Sequence, residues 1–439
     1  MRVLFAVWPA TAHLHPSVSL AWALKAAGHE VRVASTALIA KQIAAAGLSA
    51  VSIGDQERML PPMGAGNPDL WAAADELSPL TEVLTSDDPA DRYPWEHFRQ
   101  FMLPCVWNFH PTDPAVALER SGLPDLVNFA KAWRPDLVIW DPCWPSAAVA
   151  AKASGAVHAR LLWGHDMFAW TRDRWAERNS LPGVDLGPDP LERYVAPLAD
   201  HYGVKVDDDL LLGDITIDPA PQGMRLPTHR SRVSMRWVPY NGADTVPEWL
   251  YGPAERPRIA LCLGASMRQF GNGHEELMAA IHGLVGDMFE AVSELDVELV
   301  GTLNEAQLPK GKPIPDNVRT VEYIPLDQLL PSCSALIHHG GVGTWAAAVA
   351  LSVPQIIPVE PWGIESPITG PYMAERGAGI AMNRAELSVE DIRKQIFDVV
   401  SNPSYLEGAK RVHHEWMSAP STHDVVPLLE KLTAAHRNS

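Results

Sequence analysis

The sequence predicts an α/β protein built from two doubly wound parallel sheets. Apolar runs typical of strands alternate with segments typical of helices over most of the chain. A stretch rich in Pro and Gly, residues 239–257, interrupts this alternation, which then restarts. A chain of 439 residues, of which 47% are hydrophobic, is long enough to form two cores of ordinary size.

These observations divide the chain into four parts. We predict a first Rossmann-like domain over residues 1–238, a linker over 239–257 and a second Rossmann-like domain over 258–418. We expect the last segment, 419–439, to form a helix that crosses back onto the first domain.

The first half begins with a strand at 2–7 and a helix at 16–27, which has Pro16 in its first turn and Gly28 at its end. Further strands are predicted at 30–35, 51–53, 136–140, 156–162 and 233–238, and further helices at 38–46 and 146–154. The pattern dissolves in an insertion over 55–114 and again over 183–227. We interpret the insertion, with helical pieces at 69–84 and 95–109, as a cap over a binding cleft or a docking surface.

The second half repeats the alternation. Its predicted strands are 259–263, 297–300, 318–323, 335–338 and 355–358, and its predicted helices are 274–293, 344–351, 371–376, 389–401, 404–417 and 425–436. The second half therefore has the same α/β class as the first.

Composition excludes several classes of partner. A net charge of −18 would repel nucleic acid. No apolar run approaches the roughly 18–20 residues of a membrane span, and the first residues indicate a strand rather than a signal peptide. Four scattered cysteines without a Cys-x-x-Cys pair fit a reducing cytoplasm and give no zinc pattern. The sequence therefore predicts a cytoplasmic protein without a bound metal.

A Gly-rich corner follows the predicted strand at 335–338. It begins with His338 and His339, continues with Gly340 and Gly341, and is followed by a small-residue helix near Thr344. Glycines let a ligand approach the backbone, and the free N–H groups at a helix start attract anions. The corner suits a diphosphate, and either histidine could donate to it. An ordinary strand-to-helix turn with two partly exposed histidines stays open as the alternative.

A second group of polar residues follows strands of the first half. His13 lies between the first strand and the first helix, and Asp141 ends the strand at 136–140. Ligands of open α/β sheets bind at the carboxyl ends of strands, so the two side chains should approach each other. Asp141 could orient His13 as a general base. A packing role for His13 and a helix-capping role for Asp141 remain open.

Together these stretches resemble the GT-B glycosyltransferases of family 1 over the whole chain. The resemblance rests on His13-x-x-Pro16, the segments 20–24 and 27–31, the strand 135–141, and the signature His338-His339-Gly340-Gly341-Val342-Gly343-Thr344 with Val353-Pro354-Gln355. It implies two Rossmann-like domains facing across a cleft. It also implies an inverting transfer in which His13, oriented by Asp141, deprotonates an acceptor hydroxyl.

Finer matches are similar to one branch, the actinobacterial transferases that attach deoxysugars and aminodeoxysugars to polyketide antibiotics. They lie at 158–164, 217–221, 240–242, 247–250 and 316–319. That branch implies a TDP-deoxysugar donor, no tightly bound cofactor and no metal. Many of its members use an activator protein resembling cytochrome P450, for which the insertion at 55–114 is our hypothetical docking face. The need for an activator and the formation of a homodimer stay open.

The resemblance also assigns binding residues. For the donor these are Ser266, Arg268, Tyr323, Ile324, Pro325, His338, His339, Gly340, Gly341, Val342, Gly343, Thr344, Glu365 and Ser366. Tyr323-Ile324-Pro325 would lie against thymine. Sixteen tryptophans fit a protein that binds bulky apolar molecules, and we predict Trp8, Trp107 and Trp144 as acceptor-binding residues.

The sequence departs from the family pattern at two places. Ala12 replaces a glycine before His13, and Glu365 and Ser366 stand where the general family has Asp-Gln, after an apparently lengthened turn at 360–364. Altered polar groups there fit a sugar that lacks hydroxyls, and an acidic residue could pair with a dimethylammonium group. A solvated loop carboxylate is the alternative for Glu365.

Four other functions are alternatives. A sugar-nucleotide epimerase or a UDP-hexose transferase would share the diphosphate site, but an epimerase would not need an apolar acceptor cap. A nucleotide-sugar-binding partner protein without catalytic activity would not need His13 and Asp141. A nicotinamide dehydrogenase would need a Gly-x-Gly-x-x-Gly turn near the N-terminus, which this chain lacks.

Overall fold

Parallel strands and flanking helices form two sheets in the computed structural model, which describes residues 1–54, 72, 74–86, 88–109, 111, 113–269, 275–311, 313–360 and 365–437. The chain divides into two units. The first contains Met1–Ala220, Arg225–Met235 and Pro420–Ser439, and the second contains Pro221–Met224 and Arg236–Ala419. Residues 55–71 of the predicted insertion 55–114, and residues 361–364 of the predicted turn 360–364, lie outside the described residues.

Each unit has one parallel sheet. The strands of the first unit are β1 (Arg2–Ala6), β2 (Glu30–Ser35), β3 (Ala50–Ser52), β4 (Leu137–Trp140), β5 (Val157–Leu161), β6 (Ile215–Asp218) and β7 (Val233–Ser234). Those of the second are β8 (Arg258–Cys262), β9 (Glu298–Thr302), β10 (Val318–Val321), β11 (Ala335–His338), β12 (Gln355–Pro358) and β13 (Gly379–Met382). Their spatial orders are β3-β2-β1-β4-β5-β6-β7 and β10-β9-β8-β11-β12-β13. The predicted α/β class is confirmed.

Helices connect these strands. In chain order they are α1 (Thr11–Ala26), α2 (Ala40–Ala45), α3 (Thr81–Thr85), α4 (Arg92–His97), α5 (Leu103–Phe109), α6 (Pro114–Arg120), α7 (Leu123–Trp133), α8 (Ser146–Ser154), α9 (Met167–Asn179), α10 (Pro190–His201), α11 (Asp208–Leu212), α12 (Glu275–Ser293), α13 (Leu326–Leu329), α14 (Val342–Ala350), α15 (Ser366–Glu375), α16 (Val389–Ser401), α17 (Pro403–Ser418) and α18 (Thr422–Arg437). A π-helical turn, Phe98–Met102, joins α4 to α5. Short 3₁₀ turns lie at Ala37–Ile39, Ser78–Leu80, Pro89–Asp91, Gln222–Met224, Glu248–Leu250, Ser266–Gln269, Glu305–Gln307, Leu330–Ser332 and Arg384–Glu386.

The first helix begins earlier than predicted. It starts at Thr11, so Pro16 lies inside it rather than in its first turn. The backbone N–H groups of His13 and Leu14 donate to the carbonyl of Ala10 and close a turn ahead of the proline. This start places His13 on the first turn of the helix, directly above the carboxyl end of β1.

The segment 183–227 was wrongly predicted to be irregular, because it holds α10, α11 and β6. Asp189 caps α10 by accepting from the backbone N–H groups of Leu191 and Glu192, and Pro190 is its first residue. Such an Asp-Pro start is a helix signal that the sequence carried. Asp207 caps α11 in the same way, so the acidic run there begins a helix.

The central strands of both sheets are buried. Every residue of β4, β11 and β12 is buried, as expected for parallel strands covered on both faces. The described helices of the insertion pack apolar side chains, including Trp95 and Phe98, into the core of the first unit. The C-terminal α18 lies against α1, and the Glu430 Oε1 atom lies 2.9 Å from the Nε2 atom of His29, just after α1. None of the helices in the described ranges has the length and hydropathy needed to cross a membrane.

Candidate active site

The first unit brings His13 and Asp141 together. Strands β1 and β4 are neighbours in the sheet, and Asp141 directly follows β4. The His13 Nδ1 atom lies 2.7 Å from the Asp141 Oδ2 atom. The other carboxylate oxygen of Asp141, Oδ1, accepts from the Cys143 backbone N–H at 2.9 Å. The carboxylate is therefore fixed by two contacts, and one of them is to the histidine.

This contact determines how the imidazole is protonated. An ionised carboxylate can only accept, so Nδ1 of His13 carries a proton and donates it to Asp141. The other ring nitrogen, Nε2, is then unprotonated in the neutral ring. This atom has no hydrogen-bond partner among the residues that the structure describes, and 11% of the His13 side-chain surface is exposed to solvent. Nε2 can therefore accept a proton from a bound hydroxyl group.

Apolar side chains surround the pair. The pocket beside His13 is lined by Phe5, Ala6, Val7, Pro16, Ile139, Trp140, Leu161 and Trp163, with Ser17 and Asp141 as its other polar members. The ring centroid of His13 lies 4.7 Å from that of Trp8 and 4.5 Å from that of Trp163. Charges interact more strongly in such a low-dielectric setting than in water.

The three predicted acceptor-binding tryptophans lie in different environments. Trp144 has no exposed surface and donates its indole N–H to the Ser121 carbonyl, so its burial argues against direct contact with an acceptor. Trp8 is 2% exposed and contacts His13. Trp107 is only partly buried at the edge of the core.

In the second unit, the predicted Gly-rich corner connects β11 to α14. His338, the last residue of β11, is fully buried. Its Nε2 lies 2.8 Å from the Gln355 Oε1 atom on the neighbouring β12, and its Nδ1 accepts from the Gly340 N–H at 3.1 Å. Both ring nitrogens are thus bonded within the protein. Burial lowers the pKa of His338 to about 3, so the ring is neutral and structural.

His339 occupies space that two glycines leave. A β-carbon on Gly264 would lie 2.5 Å from the His339 ring, and one on Gly341 would lie 2.6 Å from it. Any side chain at either glycine would therefore collide with the imidazole. Burial lowers the pKa of His339 to about 4, so this ring is also neutral near pH 7. Gly264 follows β8 and Gly341 precedes α14, which places His339 at the carboxyl edge of the second sheet.

Glu365 and Ser366 lie at the same corner. The Glu365 Oε2 atom accepts from the Val342 backbone N–H, at the start of α14, at 2.6 Å. The side chain is buried, and this burial raises its pKa to about 8 although the Val342 amide opposes the shift. A β-carbon on Gly340 would lie 2.5 Å from the Ser366 Cα atom, so this glycine is required by close packing.

The other predicted donor-binding residues follow strands of the same sheet. Ser266 and Arg268 lie in the turn after β8, and Arg268 donates to the Thr302 carbonyl at 3.0 Å. Tyr323 follows β10, is 43% exposed, and donates its hydroxyl to the Asn241 carbonyl. The Arg268 guanidinium lies 5.8 Å from the centre of the Tyr323 ring. Ile324 is buried, and Pro325 lies at the start of α13. Thr344 is buried in the first turn of α14.

Comparison with known proteins connects this geometry to a family. Residues 22–264 match the family described as erythromycin biosynthesis protein CIII-like, N-terminal domain, and residues 287–432 match the corresponding C-terminal domain. The chain belongs to this family. It is a glycosyltransferase, and its two parallel sheets with flanking helices form the GT-B fold, as the resemblance implied.

Several glycosyltransferases are similar to this chain over nearly the full length of both proteins. The chain is 38% identical to 10-deoxymethynolide desosaminyltransferase of Streptomyces venezuelae, over 100% of this chain and 98% of that protein. It is 37% identical to aclacinomycin-T 2-deoxy-L-fucose transferase of Streptomyces galilaeus, over 100% and 97%. Among solved structures, the glycosyltransferase VinC in complex with dTDP is 31% identical, covers 99% of this chain and 100% of that one, and has a TM-score of 0.79.

The sequence did not reveal the contacts that two residues make in the site. Gln355 lies on the strand next to His338, and its side-chain oxygen accepts the proton on His338 Nε2. Trp163 lies in the loop after β5 and packs against His13. Gln355 lies in the Val-Pro-Gln match and Trp163 in the 158–164 match, so both stretches carried a signal. The strand pairing that brings each residue to its partner had to come from the structure.

The Glu365→Gln variant should be more stable than the wild type, and this difference should grow as the pH rises. The carboxyl pKa of about 8 in the folded protein exceeds its ordinary value of 4.5. Between these values the unfolded chain has lost a proton that the folded chain retains, so the wild type loses stability as the pH rises through this range. Glutamine does not ionise and can still accept from the Val342 amide. We expect its advantage in Tm to grow to the order of 5 °C by pH 8.5.

Thermal unfolding of both proteins at pH 5.5 and pH 8.5 measures this difference. The matched control is Glu375→Gln on the same helix, because the Glu375 side chain is 76% exposed and should give no such trend. An equal Tm difference for Glu365→Gln at the two pH values would contradict the prediction.

Proposed function

We propose that this glycosyltransferase transfers a deoxysugar, with an aminodeoxysugar favoured, from a TDP-sugar to a hydroxyl group of a polyketide aglycone of the macrolide type. The transfer inverts the anomeric configuration. One observation carries the catalytic part of this proposal: the His13 Nδ1 and Asp141 Oδ2 atoms are 2.7 Å apart in an apolar pocket. The choice of donor and acceptor follows the relatives.

The first step is removal of the acceptor proton. Asp141 holds His13 as the tautomer with a free Nε2, and this atom takes the hydroxyl proton while the oxygen attacks the anomeric carbon. The imidazolium that forms is stabilised by the carboxylate already bonded to Nδ1. The sugar–phosphate bond breaks as the new glycosidic bond forms, and no sugar–enzyme bond is needed.

The second unit would bind the departing nucleoside diphosphate. We assign this contact to His339 rather than His338, because both nitrogens of His338 are bonded to protein groups. A neutral His339 ring carries one proton, which it can donate to a phosphate oxygen in place of its hydrogen bond to the Cys262 backbone. The amides of Gly343 and Thr344 lie in the first turn of α14, where N–H groups lack partners within the helix and favour an anion. Together these groups would stabilise the leaving group.

The sugar and the base would be recognised by neighbouring residues. We propose that Tyr323, Ile324 and Pro325 contact the thymine, and that Ser266 and Arg268 lie beside the phosphates. Glu365 is our candidate for the amino group of the sugar. A dimethylammonium cation near this buried carboxyl group would favour its ionised form and thereby offset part of the cost of burial. Ser366 has no exposed surface, so its burial argues against direct contact with the sugar, as it does for Trp144 and the acceptor.

The acceptor site is assigned from the partly buried tryptophan of the first unit. Trp107, which is partly buried, remains our candidate for contact with an apolar aglycone. The insertion at 55–114 remains our hypothetical docking face for an activator protein resembling cytochrome P450. Transfer assays with and without such a partner test whether it is required.

The proposed function is tested by assaying transfer with two matched pairs, TDP-desosamine with 10-deoxymethynolide and TDP-2-deoxy-L-fucose with aclacinomycin T. Mass spectrometry would detect the glycoside, and chromatography would quantify TDP. We expect the TDP-desosamine pair to give glycoside and TDP in equal amounts, and we expect UDP-glucose to give no product. Product from the TDP-2-deoxy-L-fucose pair alone would support a deoxysugar donor but contradict the aminodeoxysugar and the macrolide-type acceptor. A product from UDP-glucose alone would contradict the proposed donor. Failure of both pairs, with and without a P450-like partner, would contradict the proposed acceptor class.

A further inference from the structure

Two indole rings lie against the imidazole of His13. The ring centroids of Trp8 and His13 are 4.7 Å apart with an interplanar angle of 34°, and those of Trp163 and His13 are 4.5 Å apart at 60°. Asp141 is bonded to Nδ1 at the ring edge. The imidazole therefore has three neighbours that limit its rotation about its side-chain bonds, and the free Nε2 remains for an incoming hydroxyl group.

The loop that carries Trp163 is anchored at both ends. Before it, the Leu162 N–H donates to the Ile217 carbonyl on the next strand, β6. Arg160 on β5 forms a buried ion pair with Asp166 at 2.7 Å, and Asp166 also caps α9 by accepting from the Ala169 N–H. A loop held by a buried ion pair and a helix cap resists movement, because breaking such a pair leaves an unpaired buried charge.

We propose that Trp163 is a positioning residue for the general base: it holds the His13 imidazole in its reactive orientation and stabilises the imidazolium formed during transfer. This inference rests on the proposed function. An aromatic face attracts a nearby cation, and the attraction is stronger where water is excluded. The neutral ring gains less from the indole than the imidazolium does, so the contact favours the transition state over the ground state.

The other ionisable groups around His13 do not stabilise its imidazolium form, which leaves the two indoles and Asp141. Burial lowers the pKa of His15 to about 4 and raises the pKa of the Cys143 thiol, so both groups are neutral near pH 7. Arg160 and Asp166 on the β5 side neutralise each other. Asp141 is then the charged group that directly contacts the imidazole.

The test compares three variants with the wild type in steady-state kinetics, using the donor–acceptor pair that is turned over. Trp163→Leu removes the aromatic face, Trp163→Met does so with a longer apolar side chain, and Trp163→Phe retains a ring. We expect kcat to fall about 10–100-fold for Leu and Met. We expect the KM values for donor and acceptor to stay within about threefold, and Phe to restore kcat to within about threefold of the wild type.

The pH dependence gives a second measurement. Protonation of His13 causes the acid limb of kcat/KM, and loss of the aromatic face makes the imidazolium less stable. The acid limb of Trp163→Leu should therefore move to lower pH by about half a unit. Trp22→Leu is the matched control, because Trp22 lies on the same helix as His13 but is 43% exposed and donates to the Ala46 carbonyl.

Three results would overturn the inference. A raised acceptor KM with unchanged kcat would make Trp163 an acceptor contact instead. Unchanged kinetics in both Leu and Met variants would remove its role, and a Phe variant as impaired as Leu would show that no aromatic face is needed. Failure of the proposed function would look different, because His13→Ala would then retain transfer whatever residue stands at position 163.

Discussion

Replacing His13 with alanine is expected to lower kcat by about 10²–10⁴-fold while the affinity for TDP stays unchanged. The alanine variant has no group to take the acceptor proton, whereas the predicted diphosphate contacts lie in the second unit. Initial rates with the productive donor–acceptor pair measure the first quantity, and titration calorimetry with TDP measures the second.

A second variant separates lost chemistry from lost packing. His13 lies between two indoles and is only 11% exposed on its side chain, so alanine leaves a gap. His13→Gln fills more of this space and still lacks a basic nitrogen. We expect it to be as inactive as the alanine variant and to unfold at a temperature closer to the wild type. Transfer by His13→Gln near the wild-type rate would contradict the assignment.

Replacing Asp141 with asparagine should lower kcat about 10³–10⁴-fold through a change of tautomer. The Cys143 N–H requires an oxygen acceptor, which directs the amide oxygen of asparagine toward it. The amide NH₂ group then points at His13 Nδ1 and donates to it. The proton of a neutral imidazole moves to Nε2, and that atom can no longer accept a proton from the hydroxyl group.

Steady-state kinetics and TDP titration measure this effect. The KM for the acceptor and the affinity for TDP should change little, because the substitution preserves size and the Cys143 contact. Activity within threefold of the wild type would show that the carboxylate neither orients nor stabilises the imidazole. Strongly reduced affinity for TDP would indicate a structural defect instead.

The His13–Asp141 pair could be anticipated because parallel strand order is encoded in simple patterns. Buried apolar runs identified β1 and β4, and the rule that ligands bind at carboxyl ends placed both side chains at one edge. The 2.7 Å contact and the tautomer it determines depend on how far each side chain reaches past its strand. The start of α1 at Thr11, ahead of Pro16, also depended on packing and was predicted wrongly.

The different environments of His338 and His339 at the Gly-rich corner could not be predicted from the sequence. The two histidines are adjacent, and only the pairing of β11 with β12 shows that Gln355 engages His338. The glycines suggested close approach of a phosphate. The structure shows that Gly264 and Gly341 also make room for the His339 ring, a contact between residues far apart in the chain.

Short elements were missed for a related reason. Strand β13, Gly379–Met382, was not predicted because four residues that begin with glycine give little periodicity. Strand β6 follows an acidic run and a five-residue helix, which concealed it within a segment predicted to be irregular. Both strands form because a neighbouring strand pairs with them, β5 with β6 and β12 with β13, so tertiary context determines their state.

The anomeric configuration of the glycoside reports on the role of His13, because attack by a hydroxyl oxygen that His13 activates, from the face opposite the diphosphate, inverts the anomeric carbon. The one-bond carbon–hydrogen coupling at that carbon, measured by NMR for the donor and for the product of the wild-type enzyme, reports the configuration of each. We expect opposite configurations in donor and product. Retention would require a covalent sugar–enzyme intermediate or attack from the face that the diphosphate leaves, and would contradict the role assigned to His13.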